Sequence, residues 1–141
     1  MAPFSPVPSY VLGTACIGRG LMAILSPRNE YAHVGLPLES HAAAAAAAAA
    51  APHGGPRSGF ASPLMYFKGI REITFGLTLV ALQRQADEEA VTTVAAVLSL
   101  ARFADGLVVW LNGGEELRWR ALGHWITGAG FLGWVIWRWS Y

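Results

Sequence analysis

The sequence has few charged residues, and this shortage limits what the protein can be. Only 13% of its 141 residues are Asp, Glu, Lys or Arg, about half the share in an average soluble domain. The net charge is +1 and no basic stripe is present, so nucleic acid is not an expected partner. Cys16 is the single cysteine and cannot form an internal disulfide. The sequence contains no cluster of His, Cys, Asp or Glu with the spacing of metal ligands. We therefore expect neither a metal nor another cofactor.

The N-terminal segment MAPFSPVPSY also lacks the basic region that begins a cleaved signal peptide. We therefore expect the first apolar segment to be retained as a helix. Apolar residues, in contrast, are abundant: they make up 54% of the chain, and the mean hydropathy is +0.39. These values favour a membrane protein over a soluble one, and the length favours a single domain spanning residues 1–141.

Four apolar segments are each long enough to cross a bilayer as a helix. They are predicted at residues 8–26, 62–83, 90–111 and 117–139, with Ser62 and Pro63 as the N-cap and first-turn residue of the second. Residues 28–61 form the one long connection, which we interpret as a loop with a low-complexity insertion of ten alanines at 42–51. The two short later connections predict an all-α transmembrane bundle with up-down-up-down topology. The expected location is integral to a membrane and multi-pass, in an endomembrane such as the ER if the source is eukaryotic.

Ionisable side chains deep inside these segments are costly in hydrocarbon and need partners within the bundle. We call the membrane face that holds the N-terminus the X face and the opposite one the Y face. Up-down topology places all the deep ionisable residues in the Y half: Arg19, Lys68, Arg71, Glu72, Arg102, Asp105 and His124. Arginines in the Y-side loops put this face in the cytosol by the positive-inside rule. The clustering predicts a polar pocket that opens toward Y.

The pocket has two interpretations. In the first, Glu72 or Asp105 is a general acid or base tuned by Arg71 or Arg102, and His124 shuttles a proton. Lys68 and Arg19 then bind the substrate. In the second, the charges form ion pairs that only fix the register of the helices, with the long cationic side chains reaching toward the interface.

Several residues together resemble a family of small four-span membrane proteins, common in fungi and catalogued as a domain of unknown function. The matching features are Gly20, Pro27 and Gly35-Leu36-Pro37, the motif Lys68-Gly69-x-Arg71-Glu72 with Gly76, then Asp105, Gly113 and His124. The chain departs from the family at Glu72, where Asp is more frequent. The resemblance implies the fold and the membrane location. Some similar small fungal membrane proteins look like tailoring enzymes of natural-product pathways.

Two functions therefore compete. One is a cofactor-free membrane enzyme that isomerises, cyclises or opens an epoxide in a hydrophobic small molecule. The other is a non-catalytic membrane subunit that binds a lipid or a partner, with structural buried charges. A conduction pathway is less favoured, because the sequence places almost no polar residue in the X half.

Overall fold

The computed structural model describes residues 4–38 and 61–140. These residues form helices and no strand, which confirms the prediction of an all-α protein. The helices are α1 (Val7–Leu25), α2 (Pro27–Val34), α3 (Pro63–Arg84), α4 (Glu88–Asn112), α5 (Gly114–Leu117) and α6 (Ala121–Trp139), with a 3-10 turn at Arg118–Arg120 between the last two. The predicted alanine insertion at residues 42–51 lies outside the described residues.

Local sequence signals explain where the helices begin. The Ser62 hydroxyl accepts a hydrogen bond from the Leu64 amide at 3.3 Å, and Pro63 occupies the first turn, as predicted. The Asp87 carboxylate caps α4 in the same way through the Ala90 amide at 3.0 Å. These caps satisfy backbone groups that have no partner within the helix.

The connection after α1 differs from the predicted loop. Pro27 does not merely end the first helix; it opens α2, because proline lacks only an N–H that the first turn of a helix leaves unbonded. α2 ends at Val34, and Gly35 caps it with a φ of +93°, a left-handed conformation that suits glycine. The segment predicted from residue 117 also differs, since α5 and a 3-10 turn precede the start of α6 at Ala121.

Glycines allow α1 and α3 to pack backbone against backbone in antiparallel directions. A Cβ atom built on Gly20 would lie 2.5 Å from the Gly69 carbonyl oxygen, and one on Gly76 would lie 2.4 Å from that of Gly13. Small residues at such a contact are typical of membrane helix pairs. α6 packs mainly against α4, and α3 and α4 join the two pairs.

In the structure we use X half for the half of the helices toward the N-terminus of α1, and Y half for the opposite half. An apolar core fills the X half between the helices. Leu79, Ala95, Leu98, Phe131 and Val135 are all at most 4% exposed and pack together. They separate the charged residues of the Y half from the polar residues near the X ends of the helices.

Within the described residues, α1 and α4 are long and apolar enough to cross a membrane, by length and composition. α3 carries Lys68, Arg71 and Glu72 in its first half, and α6 contains His124 and Arg138 as well as several glycines and tryptophans, which lower its average hydropathy. Averages over a whole helix do not distinguish its inner face from its outer face.

Candidate functional site

Seven ionisable side chains in the Y half form one continuous row in which cations and carboxylates alternate. We call this row the charge ladder; its order is Arg19, Glu30, Lys68, Glu72, Arg102, Asp105 and Arg71. The closest pairs are Arg19 with Glu30 and Arg102 with Glu72, each at 2.7 Å. The structure thus brings together six of the predicted site residues and adds Glu30.

The longer pairs complete the charge ladder. Lys68 Nζ lies 3.3 Å from Glu30 and 3.8 Å from Glu72. The carboxylate oxygens of Asp105 lie 3.4 Å from the guanidinium of Arg71 and 3.8 Å from that of Arg102. Each carboxylate therefore contacts two cations, and α1, α2, α3 and α4 all contribute to the same row.

Glu30 is the carboxylate that sequence reasoning missed. It belongs to α2, and its side chain is fully buried although its segment looks like a polar loop. A hydrogen bond holds α2 against the start of α3: the Tyr31 hydroxyl accepts from the Ser62 amide at 3.1 Å. The available signal was the helix-starting Pro27 followed by an acidic residue in the first turn.

The two terminal arginines are the most exposed members of the charge ladder. The side chains of Glu72 and Arg102 are 3% and 15% exposed, whereas those of Arg19 and Arg71 are 36% and 49% exposed. The inner pairs are thus shielded from the surroundings. In the interior of the bundle, a charge that loses its partner lowers the stability of the fold strongly. The two terminal arginines lie at the margin of the bundle.

A cavity of about 260 Å³ lies on one side of the charge ladder, between α1 and α6. We call it the α1–α6 cleft. Arg19 and Arg102 contribute to its wall, together with His124 and the apolar side chains of Leu12 and Phe131. A second cavity, of about 310 Å³, lies on the opposite side.

The predicted catalytic residues are divided between these cavities. His124 lines the α1–α6 cleft and Asp105 lines the second cavity, while Glu72 lines neither of them. His124 Nε2 lies 3.0 Å from the Val34 carbonyl oxygen, so this ring nitrogen is bonded to α2. His124 therefore shares a cavity wall with three arginines, Arg19, Arg102 and Arg120, rather than with a carboxylate.

A second polar cluster lies near the X ends of the helices, where the sequence predicted an apolar half. Arg138 is 4% exposed and donates to the Thr92 hydroxyl at 2.6 Å and to the Glu88 carbonyl and carboxylate at 2.8 and 2.5 Å. Phe4 and Trp134 cover its guanidinium. The signal that could have revealed this cluster is that the predicted topology brings the start of α4 and the end of α6 together at the X face.

No group of three or more His, Cys, Asp or Glu residues within 4–38 and 61–140 is arranged to hold a metal ion. Cys16 is buried beside Arg102, whose guanidinium lies 4.0 Å from its sulfur. The chemistry of the described site is therefore that of guanidinium, ammonium, carboxylate and imidazole groups around two cavities.

Comparison with known proteins identifies the family. The model of a family described as a domain of unknown function, DUF4267, matches residues 13–138. The chain therefore belongs to this family, which confirms the resemblance at that level. No curated protein and no solved structure matches the chain.

Proposed function

We propose that this member of the DUF4267 family is a multi-pass membrane protein whose four long helices cross the bilayer as an up-down bundle. The charge ladder holds the helices together in the Y half. The α1–α6 cleft binds a hydrophobic small molecule or lipid. The protein would reside in an endomembrane such as the ER if its source is eukaryotic.

The observation that carries this proposal is the direction of the side chains on α3. Its outward-facing residues Leu64, Phe67, Ile70 and Leu77 are between 54% and 69% exposed. Lys68 and Glu72 on the same helix instead point into the charge ladder. A helix with this arrangement has an apolar outer face although its sequence includes charged residues. This is expected for a membrane span whose charges form functional or structural ion pairs inside the bundle.

The last helix supports the same topology. Ile126 and Ile136 on α6 are exposed, whereas His124 and Arg138 bond to neighbouring helices. Apolar surface of this extent around a bundle is typical of contact with lipid. Exposed tryptophans at the two ends, Trp119 and Trp139, fit the aromatic belts at the membrane interfaces.

The closed ion pairs favour a binding function over conduction and over catalysis by Glu72. Each carboxylate of the charge ladder already contacts two cations, as expected for a network of structural ion pairs. The apolar core of Leu79, Leu98 and Phe131 separates the charge ladder from the Arg138 cluster. A continuous polar route for ions would need to replace this core.

A second candidate function rests on His124 alone. This imidazole lies on the wall of the α1–α6 cleft beside Arg19 and Arg102, so it is placed to move a proton on a bound molecule while the arginines stabilise an oxyanion. Isomerisation, cyclisation and epoxide opening are the reactions that suit it. Extracts of cells that make the protein should then contain a product that disappears with His124→Asn and persists with Gly133→Leu. A folded His124→Asn protein with unchanged products would contradict the catalytic role.

The test of the main proposal combines membrane extraction with photolabelling. An alkaline carbonate wash should leave the protein in the membrane pellet, and a diazirine-bearing hexadecanol should label it. Gly123 lines the cleft and has open space at its Cβ position, so Gly123→Leu should fill the cavity and reduce labelling. Gly133 also has open space but does not line the cleft, which makes Gly133→Leu the matched control. Release by carbonate, or equal labelling of both variants, would contradict the proposal.

A further inference from the structure

We propose that the α1–α6 cleft selects a long-chain carboxylate, with the carboxylate at the Y end and the alkyl chain directed toward the middle of the bundle. This inference rests on the proposed function, which supplies only a hydrophobic ligand. It adds the chemical class of the head group and the direction in which the ligand lies.

The wall of the cleft has charges of one sign. Arg19, Arg102 and Arg120 line it, and His33 and His124 lie beside them, but no carboxylate is among the lining residues. The second cavity differs because Asp105 lies on its wall with Lys68 and Arg71. An anionic head group is therefore complementary to the first cavity and would meet a like charge in the second.

The positive charge of the cleft is not fully neutralised by the charge ladder. Arg19 and Arg102 line the cleft, whereas their partner carboxylates Glu30 and Glu72 do not, and the ladder as a whole has four cations and three carboxylates. Arg120 adds another cation, since it is exposed and forms no ion pair within the residues that the structure describes. Guanidinium groups bind carboxylates through paired N–H donors, so these side chains suit the proposed head group.

The polarity of the wall changes along the cleft. Arg19 and Leu12 are separated by seven residues of α1, and His124 and Phe131 by seven residues of α6. At 1.5 Å per residue, the cationic and apolar ends of the cleft are about 10 Å apart. Because α1 and α6 run in opposite directions, Arg19 of α1 and His124 of α6 both lie at the Y end of the cleft. An amphiphile with a charged head and an apolar tail matches this gradient.

The size of the cleft limits the ligand to one chain. Its volume of about 260 Å³ is slightly below the range of about 300–1,000 Å³ that is usual for small-molecule sites. The two acyl chains and large head group of a phospholipid do not fit this space. A single alkyl chain fits, and its distal part can continue between the helices into the surrounding lipid.

The experiment compares two photoreactive probes that differ only in the head group: diazirine-bearing hexadecanoic acid and the hexadecanol used above. Labelling is measured against probe concentration with the full-length protein, at an alkaline pH that ionises the acid. We expect the acid to label at about tenfold lower concentration than the alcohol, the effect of one or more charge-assisted hydrogen bonds. Gly123→Leu should reduce labelling by both probes.

The variant Arg120→Gln isolates the head-group contact, since Arg120 lies outside the charge ladder and its loss leaves the ladder pairs intact. It should abolish most of the preference for the acid and leave labelling by the alcohol unchanged. Arg28→Gln is the matched control because Arg28 is exposed near the same face but does not line the cleft.

The outcomes separate this inference from the proposed function. Equal labelling by acid and alcohol, both reduced by Gly123→Leu, would overturn the head-group inference and leave the proposed function standing. Insensitivity of both probes to Gly123→Leu would overturn both. A preference for the acid that survives Arg120→Gln would also overturn the inference. So would a preference that falls equally with Arg120→Gln and Arg28→Gln, because it would reflect surface charge alone.

Discussion

The carboxylate of Glu72 on α3 lies 2.7 Å from the guanidinium of Arg102 on α4, and both side chains are enclosed by the bundle. This pair is the central contact of the charge ladder and joins the α1–α3 pair of helices to the α4–α6 pair. Its position explains how charged residues are accommodated in helices whose outward faces are apolar.

Replacing one member of this pair should destabilise the bundle strongly. Glu72→Gln leaves Arg102 without its closest carboxylate, and an uncompensated buried charge typically costs about 3–5 kcal/mol. Thermal unfolding of the protein in detergent measures the loss. The double variant Glu72→Gln with Arg102→Gln removes both charges and should recover part of the stability.

Arg71→Gln is the control for this experiment. Arg71 ends the charge ladder and its side chain is 49% exposed, so its loss should cost about 1 kcal/mol or less. Equal losses from Glu72→Gln and Arg71→Gln would show that the central pair has no special structural role.

The close packing of α1 and α3 predicts different tolerance at two neighbouring glycines. Gly20→Ala places a Cβ against the Gly69 carbonyl and should separate the helices, with a loss of about 1–3 kcal/mol. Gly18→Ala is matched in chemistry and lies on the same helix, but its Cβ has open space. It should be neutral or stabilising, since alanine is favoured in helices. Thermal unfolding of the two variants checks this, and a larger loss at Gly18 would contradict the packing.

The cluster at the X ends predicts that Arg138 is needed for stability. Arg138→Gln removes contacts with both Thr92 and Glu88 and should cost about 3 kcal/mol or more. Arg138→Lys should fail to restore stability because a single ammonium group cannot reproduce the separate Nε and Nη2 contacts. Arg84→Gln, at an exposed residue of α3, is the control. Unfolding temperatures that are equal in the Arg138→Gln and Arg84→Gln variants would refute this role.

The sequence predicted the all-α fold and two contacts of the charge ladder because these depend on patterns within single helices, whereas the other four contacts join different helices. Lys68 and Glu72 lie one turn apart on α3, and Arg102 and Asp105 on α4, so their pairing needs no knowledge of the rest of the fold. The capping of α3 by Ser62 was equally local.

Glu30 and Arg138 were not predicted because tertiary packing determines their burial. The eight residues of α2 are polar on average and too few to show a clear helical pattern, and α2 is held by the contact between Tyr31 and Ser62. Arg138 lies one residue before the end of α6, where a long side chain usually reaches the interface. Its contacts with α4 fold it inward instead.

Topology mapping tests the central claim most directly. In a background with Cys16→Ala, single cysteines are introduced at the exposed residues Asn29, Gln85, Glu115 and Ser140. They are treated with a membrane-impermeant maleimide in sealed membranes before and after permeabilisation. Four spans predict that Asn29 and Glu115 react from one side, the cytosolic one, and Gln85 and Ser140 from the other. If α1 and α4 alone cross the membrane, Asn29 and Gln85 share one side and Glu115 and Ser140 the other, and this result would contradict the account.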